Sequence, residues 1–304
     1  MKIIFFGTPR FAQIVLEKLT DSPFRPTLVI TAPDAKSGRG RNLQASPVKQ
    51  TAVKNRIEVL GPKSLSDPNF QFKISNLKFD LAILVAYGKI IPSNILKLPR
   101  LGFVNVHPSL LPKYRGPSPI ISAILAGEEK TGISIMLLDE KVDHGPILAQ
   151  HEVPIDKDDT HASLIEKLAE IGAQLLIETL PYYTSGDLAP APQNHKEATN
   201  TQHIKKSAGA IDLENPPNPQ TFDRMIRAYY PWPTVWTQLR QGSDGQAKIL
   251  KFLPSNTPNE PFLIQPEGKK PMTVKEFKNG YPEIFKKISQ IFEGPKEEVL
   301  SLRL

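Results

Sequence analysis

Asp80-Leu-Ala-Ile-Leu-Val-Ala86 is a near-continuous apolar run. Such runs are typical of strands in parallel sheets, because helices cover both faces of the sheet and bury every side chain. Shorter apolar runs lie at 2–6, 27–31, 102–107 and 132–138. Together these runs predict the strands of one buried sheet.

Helix signals lie between the strand-like runs. Ser46-Pro47 and Ser118-Pro119 each place a capping residue before a proline that suits the first helical position, and Thr8-Pro9 predicts Thr8 as a third cap. Alternating strands and helices with short connections predict an α/β fold with an open, mostly parallel sheet.

The 304-residue length favours two domains, since one hydrophobic core seldom serves so long a chain. We expect an α/β domain over residues 1–180. Residues 181–206 are polar, contain proline and lack periodicity, which predicts a linker. Residues 207–304 combine a helix after Asn218-Pro219 with short alternating stretches, and they predict a small β-rich domain.

Composition excludes several classes of protein. The chain has no cysteine, which removes disulfides, thiolate nucleophiles and cysteine-ligated zinc. No apolar run approaches the roughly 18 residues of a membrane span, and no leader precedes the first strand, so we expect a cytoplasmic protein without membrane contact. A monomer is a separate expectation that these features do not establish. His107, Asp143 and His144 are a weak alternative metal set, because they lack the usual ligand spacing.

Charge is unevenly distributed. Residues 1–120 carry 18 Lys and Arg against 6 Asp and Glu, whereas residues 121–200 carry 5 against 14. A basic half beside an acidic segment favours a polyanionic partner on one side of the molecule. Lysines also solubilise surfaces, and charge alone does not distinguish the two explanations.

Asn105 and His107 stand two residues apart near the end of one predicted strand, so they share a face. Ligands of open α/β sheets bind beyond the carboxyl ends of strands. An imidazole beside an amide suits proton transfer next to a developing oxyanion. For an isolated Asn-x-His, however, a histidine that merely bonds a loop carbonyl is the favoured explanation.

Asp143 lies in the loop that follows the strand-like run 133–138. A carboxylate there can orient an imidazole and hold its tautomer, with Gly145 allowing a turn. A plain turn aspartate is the alternative. The chain lacks a glycine-rich dinucleotide fingerprint, a nucleophile elbow and a phosphate-binding loop.

Five segments in register resemble the methionyl-tRNA formyltransferase family. They are FFGTPRFA at 5–12, VAYGKIIP at 85–92, NVHPSLLPKYRGPSP at 105–119, LLDEKVDHGPIL at 137–148 and RAYYPWPTVWT at 227–237, and QPEGKKPMTVKEFKNG at 265–280 matches again. The resemblance implies transfer of the formyl group of 10-formyltetrahydrofolate to the amino group of methionyl initiator tRNA. It also implies a Rossmann-like formyltransferase domain followed by a C-terminal OB-like barrel.

The family's catalytic trio falls on Asn105, His107 and Asp143. His107 then handles the proton that the attacking amine loses, Asp143 is its partner, and Asn105 donates to the oxyanion. This chemistry requires no metal.

The resemblance also implies a folate pocket formed largely by backbone groups. For the apolar members of this set, core packing is the alternative. The implied folate-binding residues are Val85, Tyr87, Gly88, Ser109, Leu110, Leu111, Pro112, Leu138 and Asp139.

Residues 34–49 form a basic loop, and in the family the corresponding loop enters the tRNA acceptor stem. Lys36, Arg39 and Arg41 would contact tRNA, with Arg39 in the key arginine position. Lys205 and Lys206 would add phosphate contacts. A solvated surface loop is the alternative.

The departures from the family pattern are C-terminal. The chain is short between Trp236 and Gln265, and it continues after Gly280 with isoleucines at helical spacing. Two further functions stay open: an amino-sugar (nucleotide-sugar) N-formyltransferase that uses the same trio, and a non-catalytic RNA-binding protein. A non-catalytic RNA-binding protein would not need Asn105, His107 and Asp143 together.

Overall fold

The computed structural model describes residues 1–37, 42–240, 247–255, 260–289 and 291. The chain divides into two compact units. The first comprises Met1–Ile120, Glu129–Ile155 and Ser163–Gln202, and the second comprises Ile121–Glu128, Asp156–Ala162 and the described part of His203–Leu304.

Nine strands belong to the described part of the first unit. They are β1 (Ile3–Gly7), β2 (Leu28–Ile30), β3 (Ala35–Ser37), β4 (Asn42–Gln44), β5 (Glu58–Leu60), β6 (Leu81–Val85), β7 (Phe103–His107), β8 (Lys130–Leu137) and β9 (Ile147–Pro154). The main sheet has the order β5-β2-β1-β6-β7-β8-β9. Its first five strands are parallel, β8 pairs antiparallel with β7, and β9 pairs antiparallel with β8. The predicted mostly parallel sheet is confirmed, and β3 and β4 form a separate hairpin.

Helices connect the strands. They are α1 (Arg10–Thr20), α2 (Pro47–Lys54), α3 (Pro68–Asn76), α4 (Ser93–Leu96), α5 (Pro119–Ala126) and α6 (His161–Ser185). Helix α2 begins as predicted, since the Ser46 hydroxyl accepts a hydrogen bond from the Lys49 amide at 3.1 Å.

The prediction that Thr8 caps α1 is wrong. Pro9 occupies the cap position and no side chain caps the helix. The Thr8 hydroxyl instead donates to the Tyr87 carbonyl at 3.4 Å and accepts from the Ala32 amide at 3.3 Å. The Thr8 hydroxyl therefore bonds to residues beyond the ends of β2 and β6 instead of capping the helix.

The sheet is the core of the first unit. Phe5, Phe6 and Phe103 are fully buried within it. Because β1, β6 and β7 are adjacent and parallel, their carboxyl ends at Gly7, Val85 and His107 lie along one edge. This edge carries the candidate site.

Residues 181–202 pack on the first unit rather than hanging free. Helix α6 continues through Pro181 to Ser185. Ala191 then pairs with Ile147 through two backbone hydrogen bonds of 2.7 and 2.8 Å, and Asn200 bridges to Arg115. Their partners lie far away in sequence, which is why the segment shows no local periodicity.

The second unit contains a small antiparallel sheet, which confirms the predicted β-rich module. Its elements are α7 (Pro219–Ala228), β10 (Val235–Arg240), β11 (Ala247–Pro254), β12 (Phe262–Pro266), α8 (Val274–Gly280) and α9 (Pro282–Ile288). Phe222, Phe252 and Phe262 meet edge to face, with ring centroids 5.1 to 6.0 Å apart. These aromatic contacts join α7 to the sheet.

Across the described residues, none of the helices has both the length and the apolar content that crossing a membrane requires.

Candidate active site

Asn105, His107 and Asp143 come together at the end of β7. The amide Nδ2 of Asn105 lies 3.4 Å from Oδ1 of Asp143, and Nδ1 of His107 lies 3.6 Å from Oδ2 of the same carboxylate. Asn105 and His107 are each 4% exposed. Three polar side chains from two distant parts of the chain thus share one small, buried volume.

The turn that carries Asp143 has an unusual backbone. Asp143 adopts φ +46°, in the left-handed region that favours glycine, so this conformation needs outside support. The Gly116 amide provides part of that support by donating to Oδ2 of Asp143 at 2.7 Å. A Cβ at Gly145 would overlap the Leu137 carbonyl oxygen, so the chain can pass Leu137 at this point only with glycine.

Hydrogen bonding assigns the tautomer of His107. Its Nε2 lies 3.0 Å from the Tyr114 carbonyl oxygen. A carbonyl can only accept, so Nε2 of the neutral ring carries the hydrogen and Nδ1 keeps its lone pair. At 3.6 Å, Nδ1 faces the Asp143 carboxylate without a direct hydrogen bond. Nδ1 can therefore accept a proton, and the carboxylate then stabilises the positive ring.

The 109–112 turn is rigid and internally bonded. Ser109 Oγ donates to the Lys113 carbonyl at 2.7 Å, and the Ser109 carbonyl accepts from Ser134 Oγ at 2.7 Å. Leu111 is buried, and its amide and carbonyl bond Ser134 and Gln150. Leu110 and Pro112 are half-buried. Ser109 and Leu111 thus fix the shape of the turn.

At the end of β6 and just after it, buried and exposed residues alternate. Val85 and Tyr87 are buried in the apolar core, where Phe6 contacts the Tyr87 ring edge-on at 5.6 Å. Burial raises the pKa of Tyr87 to about 12, and its hydroxyl has no hydrogen-bond partner among the described residues. Gly88, by contrast, is exposed with φ +79°. Ala86 and Gly88 of this segment therefore face outward, while the Val85 and Tyr87 side chains do not.

Leu138 and Asp139 follow β8, and Leu138 borders that apolar core. Leu138 is half-buried against it, and its amide donates to the Phe103 carbonyl at 2.9 Å. The Asp139 carboxylate lies 2.6 Å from His144 Nδ1 and accepts from the Lys141 amide at 2.9 Å. The Asp139 side chain therefore shapes its own loop.

Sequence reasoning missed a polar network beside Asp143. Arg115 and Gln193, each 7% exposed, bond to each other: the guanidinium donates to Gln193 Oε1 at 2.6 and 3.2 Å. Gln193 Nε2 in turn donates to the carbonyls of Asp143 and Gly145. Gln193 is 50 residues from Asp143 and lies in a segment without periodicity, so no local pattern signals it.

Two histidines stack next to this network. The rings of His144 and His195 are 4.0 Å apart and nearly parallel. Arg115 Nη2 lies 2.9 Å from His195 Nδ1, which must accept because a guanidinium only donates. Desolvation lowers the pKa of His195, and the positive charges of His144, Arg115 and Lys141 act in the same direction. Both effects favour a neutral ring.

Some of the residues expected to contact tRNA lie among the described residues. Lys36 lies in the hairpin strand β3, whereas Arg39 and Arg41 fall outside the described residues. Lys205 and Lys206 are exposed. The Lys206 ammonium lies 5.9 Å from the Trp236 ring centre, and Trp236 Nε1 donates to the Lys206 carbonyl at 3.2 Å. These contacts anchor Lys206 while leaving it accessible.

In the described ranges, no cluster of three or more His, Asp and Glu side chains is arranged to hold a metal ion.

The comparisons with known proteins define the class first. A family model described as formyl transferase matches residues 1–180. Among solved structures, a sugar N-formyltransferase from Shewanella sp. FDAARGOS_354 has a TM-score of 0.60 at 18% identity, covering 81% of this chain and 95% of that one. At that identity the similarity establishes the α/β formyltransferase fold alone.

Sequence relatives define the family more narrowly. A methionyl-tRNA formyltransferase from Roseiflexus sp. (strain RS-1) is 39% identical in an alignment of 302 residues that covers 92% of this chain and 92% of the relative. That of Thermodesulfovibrio yellowstonii is 41% identical over 299 residues, covering 91% of this chain and 95% of the relative. The chain belongs to the methionyl-tRNA formyltransferase family.

Proposed function

We propose that this enzyme transfers the formyl group of 10-formyltetrahydrofolate to the amino group of methionyl initiator tRNA, giving N-formylmethionyl-tRNA. The observation that carries the proposal is the convergence of Asn105, His107 and Asp143 within 3.6 Å at the end of β7. Family membership supplies the substrates, and the trio supplies groups that suit the chemistry.

His107 manages the proton. The formyl donor supplies the carbonyl carbon that the amine attacks; a new carbon–nitrogen bond forms and the bond to the folate nitrogen breaks. His107 Nδ1 accepts the proton that the amine loses and returns it to the departing folate nitrogen. The Tyr114 carbonyl holds the ring, and Asp143 stabilises its protonated form.

Asn105 stabilises the oxygen of the formyl group. Its amide nitrogen has two N–H groups, and one points to Asp143 at 3.4 Å. The second can donate to the formyl oxygen as negative charge develops there. Because Asn105 is buried, this hydrogen bond acts in a low dielectric and costs little reorganisation.

The residues beside the trio fit a flat, hydrogen-bonding heterocycle such as the pterin of a folate. The chain turns outward after β6, where Ala86 (φ +44°) and Gly88 (φ +79°) are both exposed and present backbone groups. Leu138 offers a half-buried apolar contact. We assign recognition here to the backbone of 85–88 and 138–139, with the Ser109–Pro112 turn as a rigid wall.

Transfer RNA is assigned to the basic surfaces. Lys36, Arg39 and Arg41 belong to residues 1–120, where basic residues outnumber acidic ones threefold. Lys205 and Lys206 would add phosphate contacts. An amino-sugar N-formyltransferase is the second candidate, favoured by the shared fold with a sugar enzyme; such an enzyme does not need this basic surface.

One incubation separates the candidates. The protein is mixed with 10-formyltetrahydrofolate and either charged initiator tRNA or a nucleotide-linked amino sugar. Formyl on methionine supports the proposal. Formyl on the sugar alone supports the alternative, and formyl on neither amine contradicts both.

A further inference from the structure

Gln193 touches the Asp143 turn at two peptide groups. Its Nε2 donates to the carbonyl of Asp143 at 3.0 Å and to the carbonyl of Gly145 at 2.7 Å. The side chain is 7% exposed, so these bonds are made away from bulk water. One amide group thereby binds the Asp143–His144 and Gly145–Pro146 peptide units of the turn.

The same amide holds Arg115 through its oxygen. Gln193 Oε1 accepts from Arg115 Nη2 at 2.6 Å and from Nε at 3.2 Å. Arg115 is itself fixed at the backbone, since its amide donates to the Thr199 carbonyl at 2.9 Å and its carbonyl accepts from the Thr201 amide at 2.7 Å. The acceptor and both donors of Gln193 are therefore all used.

Arg115 is adjacent in sequence to a residue that hydrogen-bonds the Asp143 carboxylate. The next residue, Gly116, donates its amide hydrogen to Oδ2 of Asp143 at 2.7 Å. Gln193 thus restrains the main chain of Asp143 directly and restrains its carboxylate through Arg115–Gly116. This restraint is needed because Asp143 has φ +46°, a backbone conformation that persists only when the surrounding structure holds it.

We propose that Gln193 is a positioning residue for formyl transfer, which acts by holding the Asp143 carboxylate in place for His107. The inference rests on the proposed function and assigns a role to a segment expected from sequence to be a linker. Gln193 does not touch the reacting atoms, and its whole effect passes through Asp143.

Gln193→Glu tests the proposal with little change in size. The carboxylate still accepts from Arg115, but it places oxygen where two donors faced the carbonyls of Asp143 and Gly145. We expect kcat to fall about 30-fold, as misplacement of a catalytic group does. The KM for 10-formyltetrahydrofolate should stay within about twofold, and titration with a folate analogue should still show one site per chain.

A double-mutant cycle separates positioning from general stability. In an Asp143→Asn background the proposal predicts that Gln193→Glu lowers kcat by less than about twofold, because the group it positions is already disabled. A purely structural role predicts the same fold-loss in both backgrounds.

Gln71→Glu is the matched control. Gln71 also donates its amide to a backbone carbonyl, that of Leu65 at 3.2 Å, but it lies in α3 away from the site. Its kcat should equal that of the wild type. If Gln193→Glu does not fold, Gln193→Met is assayed instead, with the same expected loss and the same cycle.

The outcomes are distinct. A wild-type kcat in the Gln193 variant, or an undiminished loss in the Asp143→Asn background, overturns the positioning role while formylation by the wild type leaves the proposed function intact. Absence of formylation by the wild type contradicts the proposed function itself.

Discussion

At the scale of single residues, the proposed mechanism depends on the groups that surround the Asp143 carboxylate. Asp143 receives a hydrogen bond from the Gly116 amide and a weaker one from Asn105, and it faces the bare nitrogen of His107. In the proposed mechanism, Asp143 stabilises the positive ring of His107 while the ring holds the transferred proton.

Replacing Asp143 by Asn should therefore affect turnover rather than binding. The change keeps the shape and removes the charge, and we expect kcat to fall by about three orders of magnitude. Folate affinity should change little, which equilibrium titration with a folate analogue measures beside the steady-state rate. Turnover near that of the wild type would remove Asp143 from the mechanism.

His161 provides a residue-scale prediction about stability. Burial lowers its pKa to about 4, and its Nδ1 has no hydrogen-bond partner among the described residues. The unfolded imidazole has a pKa near 6.5, so between these values the unfolded chain binds more protons. The contribution of His161 to stability is present above pH 6.5 and is lost as the pH falls towards 4, by about 3 kcal/mol at most.

Urea unfolding of the wild type and His161→Gln between pH 4 and 7 measures this effect. The free energy of unfolding of the variant should fall less steeply as the medium is acidified. Parallel curves would show that His161 is not buried in its neutral form.

At the scale of elements, the Ser46 hydroxyl should stabilise α2. It accepts from the Lys49 amide and lies 2.8 Å from the Thr31 hydroxyl, so Ser46→Ala leaves a helix-end donor without its cap. We expect a loss of about 1 kcal/mol in the free energy of unfolding. Ser75→Ala, at an exposed position of α3, is the control. Its free energy of unfolding should stay within about 0.5 kcal/mol of the wild-type value. Equal losses in the two variants would contradict the capping role.

How far sequence predicts these elements depends on where each residue finds its partners. The buried strands are predictable because each needs an apolar run, as at 81–85. Asn105 and His107 are predictable as a pair because a strand places alternate residues on one face. Thr8 and Gln193 are not, since their partners lie 24 to 79 and 48 to 78 residues away. Local patterns carry no information on such contacts.

At the scale of the whole molecule, the uneven charge is compatible with the proposed polyanionic partner, tRNA. Residues 1–120 hold three times as many basic as acidic side chains. The proposed contact is local as well as general, because the resemblance implies that Arg39 corresponds to the arginine expected to enter the acceptor stem.

Arg39→Ala should accordingly raise the KM for tRNA about tenfold, the cost of roughly 1.4 kcal/mol of binding. Folate affinity should not change. Lys54→Ala, which removes an exposed charge from the end of α2, is the matched control and should leave the tRNA KM within about twofold. Equal effects of the two variants would indicate diffuse attraction instead of a specific contact.

The central claim is that His107, held between Tyr114 and Asp143, transfers the proton during formylation of methionyl-tRNA. Its most direct test compares labelled formyl transfer from 10-formyltetrahydrofolate to charged initiator tRNA by the wild type and by His107→Ala, with both substrates saturating. The account predicts formylmethionyl-tRNA from the wild type and a rate at least about 10³-fold lower from the variant, with folate still bound. Equal rates from the two proteins, or no formyl group on methionine with the wild type, would contradict it.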